Sequence, residues 1–88
     1  DILQPIFVFD AGGNGRLAQT LFGLVECGCN LHLLSKKLGQ HENTLRQRLG
    51  RIASLTGLDF RKVDQYEQLS LAVKIHNCIE GRGKLPLN

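Results

Sequence analysis

Apolar residues recur at helical spacing along most of this chain. Over residues 17–27 they fall at Leu17, Leu21, Leu24 and Val25, with Ala18 and Phe22 beside them, which predicts an amphipathic helix. Thr20 and Gly23 lower its propensity slightly. Gly28 follows the last periodic position and suits a left-handed stop. Asn30 can cap the next helix, residues 31–38, which turns Leu31, Leu34, Ser35 and Leu38 toward its neighbours. Gly39 then allows a tight turn. Ser35, four residues before it, is small enough for the two helices to approach closely. A longer helix follows over residues 42–56, where Leu45, Leu49, Ile52 and Leu55 form the buried stripe. Gly57 ends it. A last helix is predicted over residues 64–79, with Tyr66, Leu69, Ala72, Val73, Ile75 and Ile79 mostly inward.

The two ends of the chain are less periodic. Ile2, Leu3, Ile6, Phe7, Val8 and Phe9 make an apolar run in which residues 6–9 have strand propensity, yet no second clear strand exists to pair with it. A short helix starting near Pro5 is the preferred reading, with an extended arm as the alternative. Residues 10–15, Asp-Ala-Gly-Gly-Asn-Gly, are loop by composition. They lack the lysine and Ser/Thr of a phosphate-binding P-loop, so a linker is expected. Residues 81–88 read as a flexible tail. The expected organisation is therefore an apolar segment and glycine-rich linker over 1–16, a helical domain over 17–80 and the tail. The fold class is all-α, a small bundle of four to five helices containing a helix-turn-helix.

Composition narrows this picture. Eighty-eight residues make one small domain, and 42% apolar residues are ordinary for a globular chain. The net charge is only +3, but residues 36–62 hold seven basic residues against two acids. Positive charge concentrated on one helical module is the footprint of a nucleic-acid binder. No run reaches the roughly 18 apolar residues of a membrane span, and no signal peptide is visible. The first residue is Asp, so the chain is expected to be a piece of a longer protein. Three cysteines, Cys27, Cys29 and Cys78, suit reduced thiols in a cytoplasm. Cys27 and Cys29 lack the spacing of a structural zinc pair, so neither metal nor cofactor is expected. No acid–base or nucleophile constellation stands out, and an enzyme is not expected.

The helix over residues 42–56 carries the candidate chemistry. A recognition helix reads DNA with its N-terminal turns. Here these hold His41, Glu42, Asn43, Thr44, Gln47 and Arg48, the candidate base contacts. The stripe at Leu45 and Leu49 turns Thr44, Gln47, Arg48 and Arg51 outward. Asn and Gln bond adenine in a bidentate way, and Arg does so with guanine. Lys36, Lys37, Arg46, Arg51 and Arg61 read as phosphate contacts, which position without specifying. Structural roles stand beside these. Glu42 accepts from cytosine or favours the helix N-terminus. Asn43 reads a base or caps the helix. His41 contacts a base or phosphate, or caps the turn. Arg48 reads a base or ties the helices together. Arg46 and Arg51 contact phosphates or are solvated charges. His32 and His76 are expected at the surface or its boundary.

The run Asn43-Thr44-Leu45-Arg46-x-Arg48-Leu49-x-Arg51-Ile52-x-x-Leu55-Thr56-Gly57-Leu58-Asp59 resembles the C-terminal helix-turn-helix of the PucR/CdaR regulators, bacterial transcription factors of purine catabolism and sugar-diacid use. Leu17-x-x-Thr20-Leu21, the Asn30 cap, Leu69-x-x-Ala72 and, more loosely, Asp10 with its glycines extend the likeness over residues 3–79. The fold is also similar to the Fis-like DNA-binding helix-turn-helix. The resemblance implies a sequence-specific DNA-binding domain of a cytoplasmic regulator that responds to a metabolite, such as a sugar diacid, through an N-terminal sensory region. It implies a homodimer through the full-length protein, with double-stranded DNA as partner, and neither a membrane nor a small-molecule site in this segment. It places His41, Glu42, Thr44, Arg46, Gln47 and Arg48 at DNA. The chain departs from the family pattern at Gln40, usually apolar, at Glu42, usually basic, and at Gln47, usually aromatic. A helical interaction or dimerisation module that does not bind DNA is the alternative function.

Overall fold

The computed structural model describes residues 1–13 and 15–80, so the tail expected over 81–88 lies outside the described residues. Five helices follow one another: α1 (Gln4–Ala11), α2 (Leu17–Glu26), α3 (Leu31–Leu38), α4 (Glu42–Thr56) and α5 (Val63–Glu80). The helix α2 is the hub, packing against each of the other four. It supplies Leu17, Leu21 and Leu24 to a core completed by Leu3 and Ile6, by Leu34, by Leu45, Leu49 and Ile52, and by Leu69 and Val73. Buried apolar side chains from all five helices, most of them leucine, meet in this one core, which stabilises together helices that would not persist alone.

The N-terminal run is helical. With Pro5 in its first turn, α1 packs on α2 and α4 and buries Ile6 completely. The glycine-rich segment behind it is fastened at both sides. Asp10 accepts hydrogen bonds from the Leu17 and Ala18 N–H groups, both at 3.0 Å, and so caps α2 from seven residues upstream. The residue at the N-cap position itself, Arg16, contributes no side-chain cap. Gly15 lies so close to this capping group that a Cβ there would sit 2.6 Å from Asp10 Oδ1 and 2.7 Å from Phe9 Cε1.

Gly23 has a packing role that its low helix propensity conceals. It is buried in α2, and a Cβ would sit 2.7 Å from Leu34 Cδ1, so its bareness lets α3 lie directly on α2. The Asn30 side chain accepts from the Leu33 N–H at 3.0 Å and starts α3 as expected. Leu45, Leu49 and Ile52 are buried along α4, as their spacing requires.

The pattern fails in part on α5. Leu69 and Val73 are buried, but Ile75 is 50% exposed and Ile79 76% exposed. Ile75 stands about 120° round the helix from Leu69 at 3.6 residues per turn. Ile79 lies in the last turn. Among the described helices only α2 packs on α5, and its ten residues are too short to cover eighteen. Leu71, also exposed, joins these two isoleucines in a row spaced by four. No described helix is long and apolar enough to cross a membrane.

Candidate nucleic-acid interface

The turn between α3 and α4 is built by Gly39 and Ser35 together. Gly39 adopts φ +67° and ψ +32°, the left-handed region that glycine enters without steric cost. The Ser35 carbonyl accepts from the N–H groups of Gly39 and Gln40, the latter at 3.1 Å, and the Ser35 hydroxyl donates to the Gln40 carbonyl. Ser35 is thus more than a small residue at a close approach. It satisfies three backbone groups of the turn. Gln40, half-buried, contributes its backbone here, which explains how a polar residue fits where an apolar one was expected.

His41 is the N-cap of α4. Its Nδ1 accepts from the Asn43 N–H at 3.1 Å, so the capping role considered for Asn43 falls to its neighbour. Glu42 sits at the helix N-terminus, where its charge suits the macrodipole. It also bridges: one carboxylate oxygen accepts from Arg46 Nη2 at 3.1 Å and the other lies 3.2 Å from His32 Nδ1 on α3. Arg46 makes a second, longer contact to Asn43 Oδ1 at 3.5 Å. Asn43 and Gln47 are exposed and Thr44 is half-buried, all in the first turns of α4.

The remaining basic residues divide by their partners. Lys37 donates to Glu26 Oε1 on α2 at 3.2 Å, whereas Lys36 is exposed and makes no ion pair among the described residues. Arg61 is chelated by Asp59, with its shortest contact 2.8 Å, and this guanidinium holds the Asp59 carboxyl down at about 2. Arg61 lies beyond the far end of α4, a helix of fifteen residues and hence ~22 Å long at 1.5 Å per residue, so it does not join the first-turn residues. Arg48 is half-buried, and its Nη1 lies 3.5 Å from the hydroxyl of Thr20 on α2. Arg51 is exposed and its guanidinium stands 5.5 Å from the centre of the Phe9 ring, a cation–π contact.

Two residues of this region escape a reading by periodicity. Thr20, fully buried, donates to the Arg16 carbonyl at 2.9 Å and faces Arg48. Arg16 itself lines a hollow with Arg48 and Arg51. Neither is signalled locally, because the partners lie up to 28 residues apart. His76, expected near the surface, lies at the boundary against Phe7, tilted, and Phe22, edge-to-face, with ring centres 5.1 and 5.4 Å away. The cysteines are free, and burial pushes the Cys29 thiol up from its ordinary value. No group of three metal-ligating side chains comes together among the described residues.

Comparison with known proteins agrees with this architecture. The family description of the PucR C-terminal helix-turn-helix domain matches residues 17–75. An uncharacterized protein of Haemophilus influenzae is 34% identical over 77 residues, 88% of this chain and 21% of that protein. AdeR of Bacillus subtilis, named a DNA-binding transcriptional activator, is 30% identical over 75 residues, 85% of this chain and 18% of its own length. An uncharacterized protein of Mycobacterium tuberculosis is 39% identical over 59 residues, 67% of this chain and 13% of its own. The chain thus spans about a fifth or less of the length of these relatives. No solved structure matches it. The chain belongs to the PucR C-terminal helix-turn-helix family.

Proposed function

We propose that this domain binds double-stranded DNA in a sequence-specific way, as the output end of a bacterial, cytoplasmic transcription regulator. The carrying observation is the α3–Gly39–α4 geometry: the stripe Leu45, Leu49 and Ile52 is buried while Asn43 and Gln47 stand exposed on the first turns of α4. A helix held this way by its neighbours offers those turns to a major groove. Thr44 and Gln47, with Asn43 beside them, are the proposed base readers. Lys36, Lys37 and Arg46 are the proposed phosphate contacts near the tip, Lys37 and Arg46 exchanging Glu26 and Glu42 for phosphate. His41 serves the fold as a cap and stands close enough to the tip to touch the backbone.

The Bacillus relative supports the reading, since that protein is named a DNA-binding transcriptional activator. A homodimer formed through the rest of a longer protein, and a sensory region answering a metabolite such as a sugar diacid, complete the proposal. Dimers of this kind place two recognition helices one turn of duplex apart. Catalysis and a bound cofactor have no part in it.

Selection of bound duplexes from a random pool tests the function. A recovered consensus, with salt-sensitive affinity, supports it. Absence of binding to mixed duplex at low salt and high micromolar protein rejects it in favour of a protein-interaction module. One observation favours that second reading: the exposed row Leu71, Ile75 and Ile79 on α5 is an apolar face without a cover among the described residues.

A further inference from the structure

We infer that Arg16, Arg48 and Arg51 form a clamp for one phosphodiester of the duplex backbone, beside the face of α4 that carries Gln47. The inference rests on the duplex-binding reading above and adds a second contacting element to it, the α1–α2 connection.

The three arginines line one hollow of about 160 Å³ together with Phe9, Gly15, Leu17 and Gln47. That is room for about five waters at ~30 Å³ each, enough for the oxygens of a phosphate group. No carboxylate among the described residues lines the hollow. The nearest is Asp10, behind Gly15, and both of its oxygens are engaged by the Leu17 and Ala18 N–H groups. It offsets part of the charge and leaves an excess of positive charge facing the opening.

The contrast with the other cations is what points to a ligand. Lys37, Arg46 and Arg61 each lie against a carboxylate, and Lys36, Lys62 and Lys74, without an ion pair among the described residues, lie outside the hollow. Arg16, Arg48 and Arg51 make no ion pair among the described residues, yet two of them are held in place by uncharged groups. Arg48 is steadied by the Thr20 hydroxyl and Arg51 by the Phe9 ring. The same hydroxyl donates to the Arg16 carbonyl, so Thr20 links the connection to α4. Gathering three like charges and orienting them without neutralising them costs electrostatic energy, which an anion returns. The fork of N–H donors on a guanidinium matches phosphate oxygens, two at a time. Arg48 and Arg51 lie one turn apart on α4, next to Gln47, so a helix seated in the groove brings them to the adjoining strand.

The test compares the chain with its Arg16→Ala variant on a pool-selected duplex and on a random one, across a salt series. Arg16 is exposed and its side chain supports no core contact, so the variant folds. Affinity should fall about tenfold on both duplexes, the loss of one charge-assisted contact. The slope of log K against log salt should become shallower, by up to the ~0.9 that one phosphate contributes. Methylphosphonate replacement, one phosphate at a time, should find a position that weakens the wild type and leaves Arg16→Ala unaffected. An unchanged slope in Arg16→Ala, where the wild type does bind duplex, overturns the clamp alone. No duplex binding by the wild type overturns both readings. Saturation of the arginine side-chain resonances by micromolar inorganic phosphate, with an unchanged duplex slope, assigns the hollow to a free phosphate and overturns the duplex assignment.

Discussion

The two ends of the exposed face of α4 are built on opposite electrostatic plans. At the tip, Glu42 lies between Arg46 and His32, so the charge carried by α4 itself is compensated and its other polar groups there are neutral amides and a hydroxyl, on Asn43, Gln47 and Thr44. From Arg48 onward, Arg48 and Arg51 line a hollow with Arg16, and no carboxylate among the described residues lines it. Neutral donors and acceptors distinguish base edges, whereas uncompensated charge attracts any phosphate. The difference suggests that selectivity and affinity reside on separate turns of one helix, and are separately removable.

The severest way to break this division is to remove the seat beneath both ends. Leu45 is fully buried, directly under the tip, and packs in the same stripe as Leu49. Leu45→Ala should cost about 2–5 kcal/mol, the range for emptying a leucine site in a core. In a domain this small that is a large share of the whole stability. Urea unfolding followed by circular dichroism measures it, and duplex binding should lose selectivity and affinity together. Retention of either would mean that α4 has a second support outside this core.

The division itself is tested by two paired variants. Arg48→Ala with Arg51→Ala should reduce the salt slope by about 0.9, the one phosphate of the clamp, and leave the preferred sequence unchanged. Thr44→Ala with Gln47→Ala should keep the slope and lose about 1–3 kcal/mol of discrimination for a bidentate base contact. Competition between selected and random duplex reads both. If the arginine pair also changes the preferred sequence, Arg48 reads a base and the two ends are not separate.

Much of this arrangement was legible in the residue pattern, and the omissions share a cause. The stripe Leu45, Leu49, Ile52 oriented α4, the Asn30 cap started α3 and Gly39 set the turn, because each obeys a rule spanning four residues or fewer. Nothing local marks Asp10 as a cap, because it serves α2 from seven residues away, past an N-cap position occupied by Arg16. Ser35 was read for its size, while its hydroxyl and carbonyl hold the turn together. Arg16 and Thr20 gain their roles only when α4 folds onto α2, 28 residues from Thr20 to Arg48. On α5 the periodicity was clear but its partner was not: nothing local says that α2 is too short to cover Ile75 and Ile79.

A smaller change should erase the contrast from the other side. Glu42→Gln leaves a hydrogen-bonding group of similar shape and removes the charge that engages Arg46 and His32. Freed, Arg46 should steepen the salt slope by about 0.9 and tighten binding to every sequence alike. Stability should change little: about 0.3–0.5 kcal/mol for an exposed i,i+4 pair and about 0.3–1 kcal/mol for an acid in the first turn. Tighter random binding with an unaltered consensus supports the view that Glu42 restrains affinity at the tip. Loss of preference for one base pair would instead make Glu42 a reader of cytosine.

The smallest effect concerns the cation kept furthest from the tip. Asp59 is drawn down from 3.8 to about 2, first by the Arg61 side chain and then by the Arg61 backbone N–H. A carboxylate with a lowered folded-state value stabilises the protein above its unfolded value, and that contribution fades as pH falls through the folded one. The Asp59 contribution is therefore complete above about pH 4 and lost on descending toward pH 2. Asp59→Asn should remove only this part of the acid sensitivity, seen as a shallower fall of the urea midpoint between those two values. At neutral pH it releases Arg61, and Arg61→Ala removes the cation altogether. If charge already held by a carboxylate beyond α4 takes no part in binding, Arg61→Ala leaves the salt slope of the wild type unchanged. A loss of one phosphate's worth of slope would place Arg61 on the duplex, and would show that an ion pair in the free domain does not withhold a cation from DNA.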